Sequence, residues 1–253
     1  MGALLVGLLV TACVFAGGVL GLNLHRLLPR HHLTKETQDV IRLGSSTISV
    51  LASLVFGLLI ATAKTTYDTA DRELRAYAAD LSLLDRALRH GGPDAAAPRE
   101  LLRQSTARTI QDLWPASDAS SAGLDDASAS VMLEQTAEAI RGLTATTTEQ
   151  RWAQEEAMQI ATSLLRQRWL LIEQAGPSVR PFILAVLVSW TVAIFISLGL
   201  NAPRNGTVVA SLLICAFIIG GAVFLILEMD NPFDGVMSIS ERSMLNALGQ
   251  MER

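Results

Sequence analysis

Residues 43–88 decide the fold, and they read LGSSTISVLASLVFGLLIATAKTTYDTADRELRAYAADLSLLDRAL. Their first part, residues 43–63, carries no charge and is long enough, at about 1.5 Å per residue, to cross a hydrocarbon core of about 30 Å. An unbroken three-to-four-residue spacing runs from this span to residue 88, as expected for one side of a helix that packs against neighbours. We therefore predict one long helix that leaves the membrane without a break and ends at Gly91-Gly92-Pro93. The seam consists of Ser46, Ser49, Ser53, Phe56, Ile60, Ala63, Tyr67, Ala70, Leu74, Tyr77, Leu81, Leu84 and Leu88.

Three further apolar windows predict three more spans, at residues 1–24, 181–202 and 205–227. The chain has 253 residues, of which 50% are apolar and only 17% charged. Its mean hydropathy of +0.37 is too high for an ordinary soluble domain. Because no window alternates apolar and polar residues as a membrane β-strand would, helices are expected. The predicted fold class is an all-α integral membrane protein with four transmembrane helices.

A helical extramembrane bundle is predicted between the second and third spans. We divide the chain into a first helix pair (1–63), this bundle (64–180), a second helix pair (181–228) and a polar C-terminal tail (229–253). Within the bundle, helices are predicted at residues 98–114, 129–143 and 149–174, with a loop at residues 115–128 and a Gly176-Pro177 break before the third span.

The two cysteines, Cys13 and Cys215, both fall in predicted spans, so neither a disulfide scaffold nor a zinc site is expected. Residues 10–13 resemble a lipoprotein cleavage box, but the residues that follow stay apolar, so we expect the first span to be retained. Its Gly17 and Gly21 have the GxxxG spacing of a close-packing helix face.

The second span carries the candidate functional side chains. Ser49, Ser53 and Gly57 share one helix face, and Phe56 and Ile60 follow on the adjacent seam. A hydroxyl-bearing stretch that gives way to a hydrophobic constriction suits a pore that closes by dewetting. The alternative is that small hydroxyl residues let membrane helices approach and hydrogen-bond to one another. The candidate pore-lining residues are Ser46, Ser49, Ser53, Phe56, Gly57 and Ile60.

Charged residues bracket the spans but do not enter them, which argues against a proton relay or an ion-coupled pump. Catalytic and nucleotide-binding motifs are also missing, so no enzyme, cofactor, metal or nucleic-acid partner is expected. His31-His32 fits a solvated basic loop better than a metal site. Carboxylates beside Asn231-Pro232 could hold a hard cation, or this stretch could be a membrane-exit turn that caps the next helix. The candidate ion or gating contacts are Lys64, Glu228, Asp230 and Asp234.

The turn Asn231-Pro232-Phe233 is followed by Gly235, Ile239 and Ser240. This motif and the two-plus-two span layout resemble the bestrophin-like family, membrane proteins of bacteria and plants that are distantly similar to bestrophin anion channels. The resemblance implies a homo-oligomer, a pentamer, in which small inorganic anions pass along an axis lined by the second span. It also implies a multi-pass protein in the lipid bilayer of a bacterial inner membrane, with the bundle in the cytoplasm.

Two features depart from a calcium-gated anion channel. Only Asp234 follows the Asn-Pro-Phe turn, where calcium-gated bestrophins carry a dense acidic run, so calcium gating is not expected. The bundle contains 13 basic and 17 acidic residues and therefore offers no basic funnel for anions. The alternative function is a membrane-anchored signalling or scaffold protein whose bundle binds a partner.

Overall fold

The computed structural model describes residues 2–24, 35–114, 127–174, 181–233 and 235–252. Within these ranges the α-helices are the main regular elements, and no strand is present. The helices are α1 (Gly2–Leu24), α2 (Lys35–Arg89), α3 (Ala96–Leu113), α4 (Ala127–Arg141), α5 (Thr148–Gln174), α6 (Pro181–Asn201), α7 (Gly206–Asp230) and α8 (Arg242–Met251). Four of them, α1, α2, α6 and α7, are long and apolar enough to cross a membrane, which confirms the predicted all-α membrane fold.

Helix α2 is a single helix of 55 residues, as its seam predicts. It begins at Lys35, eight residues before the predicted span, because residues 35–42 contain neither glycine nor proline and can extend the helix toward the N-terminus. It ends at Arg89, just ahead of the predicted glycine pair. Gly92 has a φ of 86°, a left-handed conformation that favours glycine, and Pro93 starts a short 3₁₀ turn.

The described helices form two compact units. Unit 1 comprises Met1–Tyr67 and Pro177–Asp230, and unit 2 comprises Asp68–Gly176 and Asn231–Arg253. Helix α2 contributes to both. The predicted loop at residues 115–128 lies outside the described residues except for its last two, which begin α4. His31-His32, the Gly176-Pro177 break and Asp234 also lie outside them.

In unit 1, glycines allow α1 to pack closely against α6 and α7. An added Cβ at Gly17 would lie 3.0 Å from a side-chain carbon of Val192, and one at Gly21 would lie 3.0 Å from the Cα of Gly199. The predicted close-packing face of α1 is therefore confirmed. A core of apolar side chains surrounds these contacts: Val10, Val14, Leu22, Phe195, Leu212, Ala216 and Val223.

Unit 2 contains the C-terminal part of α2 together with α3, α4, α5 and α8. The predicted seam is confirmed here, since its members from residue 70 onward are all buried: Ala70, Leu74, Tyr77, Leu81, Leu84 and Leu88. Leu102, Leu133, Ile140 and Leu164 add to the core from the other helices.

The predicted turn at Asn231-Pro232 follows α7 directly, but the predicted capping of the next helix is wrong. Helix α7 continues to Asp230, three residues beyond the predicted span, because the first residue that disfavours helical backbone is Asn231, which precedes Pro232. The following helix, α8, begins only at Arg242 and has no side-chain cap hydrogen bond, so Asp and Asn of this stretch do not cap it.

The segment predicted as a polar tail contains α8, whose Met244, Ala247 and Met251 are buried. Arg89 Nη2 donates a hydrogen bond to the carbonyl of Gln250 at 2.5 Å, and Arg99 Nη2 donates one to the carbonyl of Met251 at 3.4 Å. Positive side chains at a helix C-terminus stabilise its last carbonyls, so these two arginines hold the end of α8 within unit 2.

Candidate functional site

The α2 span is the least covered of the four spans. Only 11% of its most apolar window is buried, compared with 22–28% for the windows of α1, α6 and α7. In a single chain, most of this helix is therefore available to lipid or to further copies of the protein.

One face of the α2 span packs inside unit 1. Ala52 and Ala63 are buried, and Phe56 packs against apolar side chains of the unit. Ser45 Oγ lies 2.5 Å from Ser197 Oγ on α6. This hydrogen bond between spans was not predicted, because nothing in the sequence separates Ser45 from the serines around it. The packing face therefore uses hydroxyl and apolar contacts together.

The predicted pore-lining residues lie beside this packing face and partly on it. Ser46, Ser53, Gly57 and Ile60 are exposed, whereas Ser49 and Phe56 are half-buried. At about 100° per residue, the exposed members are centred roughly 90° around the helix from the packing face. We name them, together with Lys64, the α2 stripe: Ser46, Ser53, Gly57, Ile60 and Lys64.

The hydroxyl protons on this side of α2 are directed to the backbone of the same helix. Ser46 Oγ donates to the carbonyl of Arg42 at 2.9 Å, and Ser53 Oγ donates to that of Val50 at 2.8 Å. Ser49 makes the equivalent bond to Ser45 at 2.7 Å. Such bonds satisfy a hydroxyl in an apolar environment, and a rotation about χ1 would redirect the proton to another acceptor. The stripe can therefore be stable in the bilayer and still contribute polar contacts.

Lys64 stands one helical turn beyond Ile60 and is exposed. Its Nζ lies 5.9 Å from the centroid of the Tyr67 ring, a cation–π contact. The stripe thus passes from hydroxyls and glycine to one branched apolar side chain and then to a positive charge.

Glu228 and Asp230 are buried at the end of α7, with 4% and 2% of their surface exposed. Between them, Met229 packs with Ala63 of α2 and Ile226 of α7 in a small cluster. The two carboxylates therefore lie at the level where the α2 span ends. Asp234 is outside the described residues, and within the described ones no three metal-ligating side chains come together.

These features define an all-α, multi-pass membrane protein with one span that its own chain leaves largely uncovered. A family model described as the Bestrophin-like domain matches residues 12–244, nearly the whole chain, and the chain belongs to this family. The resemblance carried by Asn231-Pro232-Phe233 is thereby confirmed. No curated protein and no solved structure gives a significant match.

Proposed function

We propose that the protein is a homo-oligomeric channel, a pentamer, through which small inorganic anions diffuse along an axis lined by α2. The observation that carries the proposal is the α2 stripe, a row of small, hydroxyl-bearing and cationic side chains on a span that a single chain leaves exposed. Membership of the Bestrophin-like family supports the same function.

The α2 stripe and the leucine-bearing side of α2 differ in polarity, as a helix that lines a shared axis requires. Leu54 and Leu58 are exposed to 70% and 66% and lie about 120° and 160° around the helix from Ile60. This leucine-bearing side suits lipid or a neighbouring subunit, whereas exposed serines suit water. Assembly around the stripe would place each side in the environment that matches its chemistry.

Ile60 and Lys64 give the proposed pathway a gate and a selectivity element. A ring of Ile60 side chains would form a hydrophobic constriction that closes when water leaves it. A ring of Lys64 ammonium groups one turn away would attract anions and repel cations. The positive charge of this ring would act locally, in spite of the excess of acidic residues in the bundle. Glu228 and Asp230, at the level of Ala63, are the proposed gating contacts.

In this proposal the protein works by passive permeation and is not an enzyme. It resides in a bacterial inner membrane with unit 2 in the cytoplasm.

Purified protein in planar bilayers tests the proposal. Under a tenfold KCl gradient, an ideally anion-selective pore reverses about 59 mV from zero, and we expect a reversal potential toward the chloride limit. Ile60→Ala should raise the conductance, and Lys64→Gln should move the reversal potential toward zero. Leu58→Ala is the matched control, since Leu58 is exposed on the opposite side of α2.

The proposal fails if the wild-type protein carries no current and both Ile60→Ala and Ser53→Asp are equally silent. It also fails if Leu58→Ala changes the conductance as much as Ile60→Ala does.

A signalling or scaffold function is the second candidate, and exposed tryptophans favour it. Trp152 and Trp169 on α5 are exposed to 73% and 65%, and tryptophan is enriched at binding hot spots. If the protein is silent in bilayers, a partner that binds the wild type but not Trp152→Ala would support this function instead.

A further inference from the structure

We propose that Arg168, in the core of unit 2, binds a small monovalent inorganic anion such as chloride. Arg168 belongs to α5, and only 3% of its surface is exposed. The site lies in the helical bundle and shares no residue with the α2 stripe. The inference concerns a resident ion and does not depend on conduction.

The guanidinium of Arg168 lies where side chains of four helices meet. Its Nε donates to Ser130 Oγ of α4 at 2.8 Å, and its Nη1 donates to Thr109 Oγ1 of α3 at 3.0 Å. The hydroxyl of Tyr77 of α2 lies close to both Arg168 and Thr109. Thr109 in turn donates to the carbonyl of Ser105 at 2.8 Å. The side chain is therefore held in one place by hydroxyl groups.

All of these partners are neutral. Within the described residues, no ion pair joins a carboxylate to Arg168, and Arg168 Nη2 is buried without a hydrogen-bond partner. The buried carboxylates of the same unit have other cations: Asp112 is paired with Arg108 at 3.3 Å, and Asp85 is paired with Arg89 and Arg99, each at 2.8 Å.

A guanidinium is a fixed positive charge in proteins and cannot become neutral when it is buried. A buried charge without an opposite charge is strongly unfavourable, so a positive group in this position calls for an anion. The two N–H groups of Nη2 are available to such an ion, and the hydroxyls of Ser130 and Tyr77 can turn toward it.

The anion is small and carries one charge. A single guanidinium among neutral hydroxyls balances one negative charge, and a buried site between helices favours a sphere over a bulky tetrahedral ion. A phosphate group would bring further negative charge, and among the described residues no second cation is bonded to this cluster to balance it. Chloride and bromide fit these requirements.

Thermal unfolding of the full-length protein in detergent tests the inference. Chloride replaces gluconate at constant ionic strength, and the unfolding midpoint is followed against chloride concentration. We expect a saturable rise, on the order of 5–10 °C when chloride reaches about 100 times its dissociation constant, since a ligand that binds only the folded state stabilises it. Bromide should act in the same way. Arg168→Met should abolish the rise.

Arg166→Met is the matched control, because Arg166 lies two residues earlier on α5 and is exposed. This variant should keep the wild-type response to chloride. If Arg168→Met does not fold, Ser130→Ala replaces it, and the chloride concentration at half-maximal effect should then rise severalfold.

The inference is overturned if chloride and gluconate give the same midpoint in the wild-type protein, or if the rise persists unchanged in Arg168→Met or Ser130→Ala. The unfolding midpoint reports only on the ion site, and the bilayer recordings report only on the channel. Failure of one proposal can therefore be distinguished from failure of the other.

Discussion

Replacing Gly21 by alanine tests how closely the spans of unit 1 must pack. An added Cβ at this position would lie 2.9 Å from the carbonyl carbon of Ile196 and 3.0 Å from the Cα of Gly199. Favourable carbon–carbon contacts lie at about 3.5–4.0 Å. The colliding atoms belong to the backbone of α6, so no side chain can rotate away. Helices α1 and α6 must therefore separate.

The size of the effect follows from two opposing terms. Inserting a methyl group into a packed interface costs about 1–3 kcal/mol. Alanine is favoured over glycine inside a helix by about 1 kcal/mol, which would hide part of this cost. Gly221→Ala removes the ambiguity, because Gly221 lies inside α7 and an added Cβ there meets no atom within 4 Å. The difference between the two variants then reports the clash alone.

Thermal unfolding in detergent measures this difference. At about 2–4 °C per kcal/mol for a chain of this size, the Gly21→Ala protein should unfold roughly 2–12 °C below the Gly221→Ala protein. Equal midpoints, or a higher midpoint for Gly21→Ala, would refute the close approach of α1 and α6.

Two further predictions concern unit 2. Trp114 Nε1 donates to the carbonyl of Ile239 at 2.9 Å and packs edge-on against Phe233, with ring centroids 6.1 Å apart. Trp114→Phe should therefore lower the free energy of unfolding by about 1–3 kcal/mol, whereas Trp152→Phe at an exposed position should change it by less than about 0.5 kcal/mol in a denaturant titration. Burial raises the pKa of Tyr77 above its ordinary value of 10, and the nearby Arg168 only partly opposes this shift. The stabilisation linked to Tyr77 is present below pH 10 and is lost as the pH rises above 10. In the Tyr67→Phe protein, where Tyr77 is the remaining tyrosine, the phenolate absorbance should therefore appear above pH 10. A titration midpoint at or below pH 10 would contradict the burial of Tyr77.

The spans and the long α2 helix could be predicted because they depend on local pattern. Four charge-free windows of membrane length have few other stable structures, and a three-to-four spacing that continues past a span keeps the helix intact. The seam from Ala70 to Leu88 is buried for the same reason. It is apolar within a polar sequence, and such a contrast is visible in the residues alone.

The same spacing was a weaker guide inside the membrane. There the structure buries Ala63 of the predicted seam and also Ala52, which lies outside it, whereas Ser46, Ser53 and Ile60 of the seam are exposed. Almost every residue of a span is apolar or small, so the sequence contains little contrast with which to orient the helix. The orientation depends on which neighbours are present, and these are supplied partly by other copies of the chain in the proposed assembly.

Helix α8 could have been predicted from the sequence, since Met244, Ala247 and Met251 have helical spacing and are all buried. No pattern in the sequence indicates the burial of Arg168. An arginine on a helix with many charged residues is expected to face water, and only the convergence of three other helices places it inside.

The same physical rule applies to the buried arginine and to the exposed α2 stripe. In unit 2, a charge sits where water is excluded and its bonded partners are neutral, so the proposed partner is an anion. In unit 1, the hydroxyls of the α2 stripe bond to their own backbone, so the proposed aqueous axis rests on the exposure of this span in a single chain. Polar groups in apolar surroundings are costly unless something satisfies them. The chloride titration and the bilayer recordings test the two proposals separately.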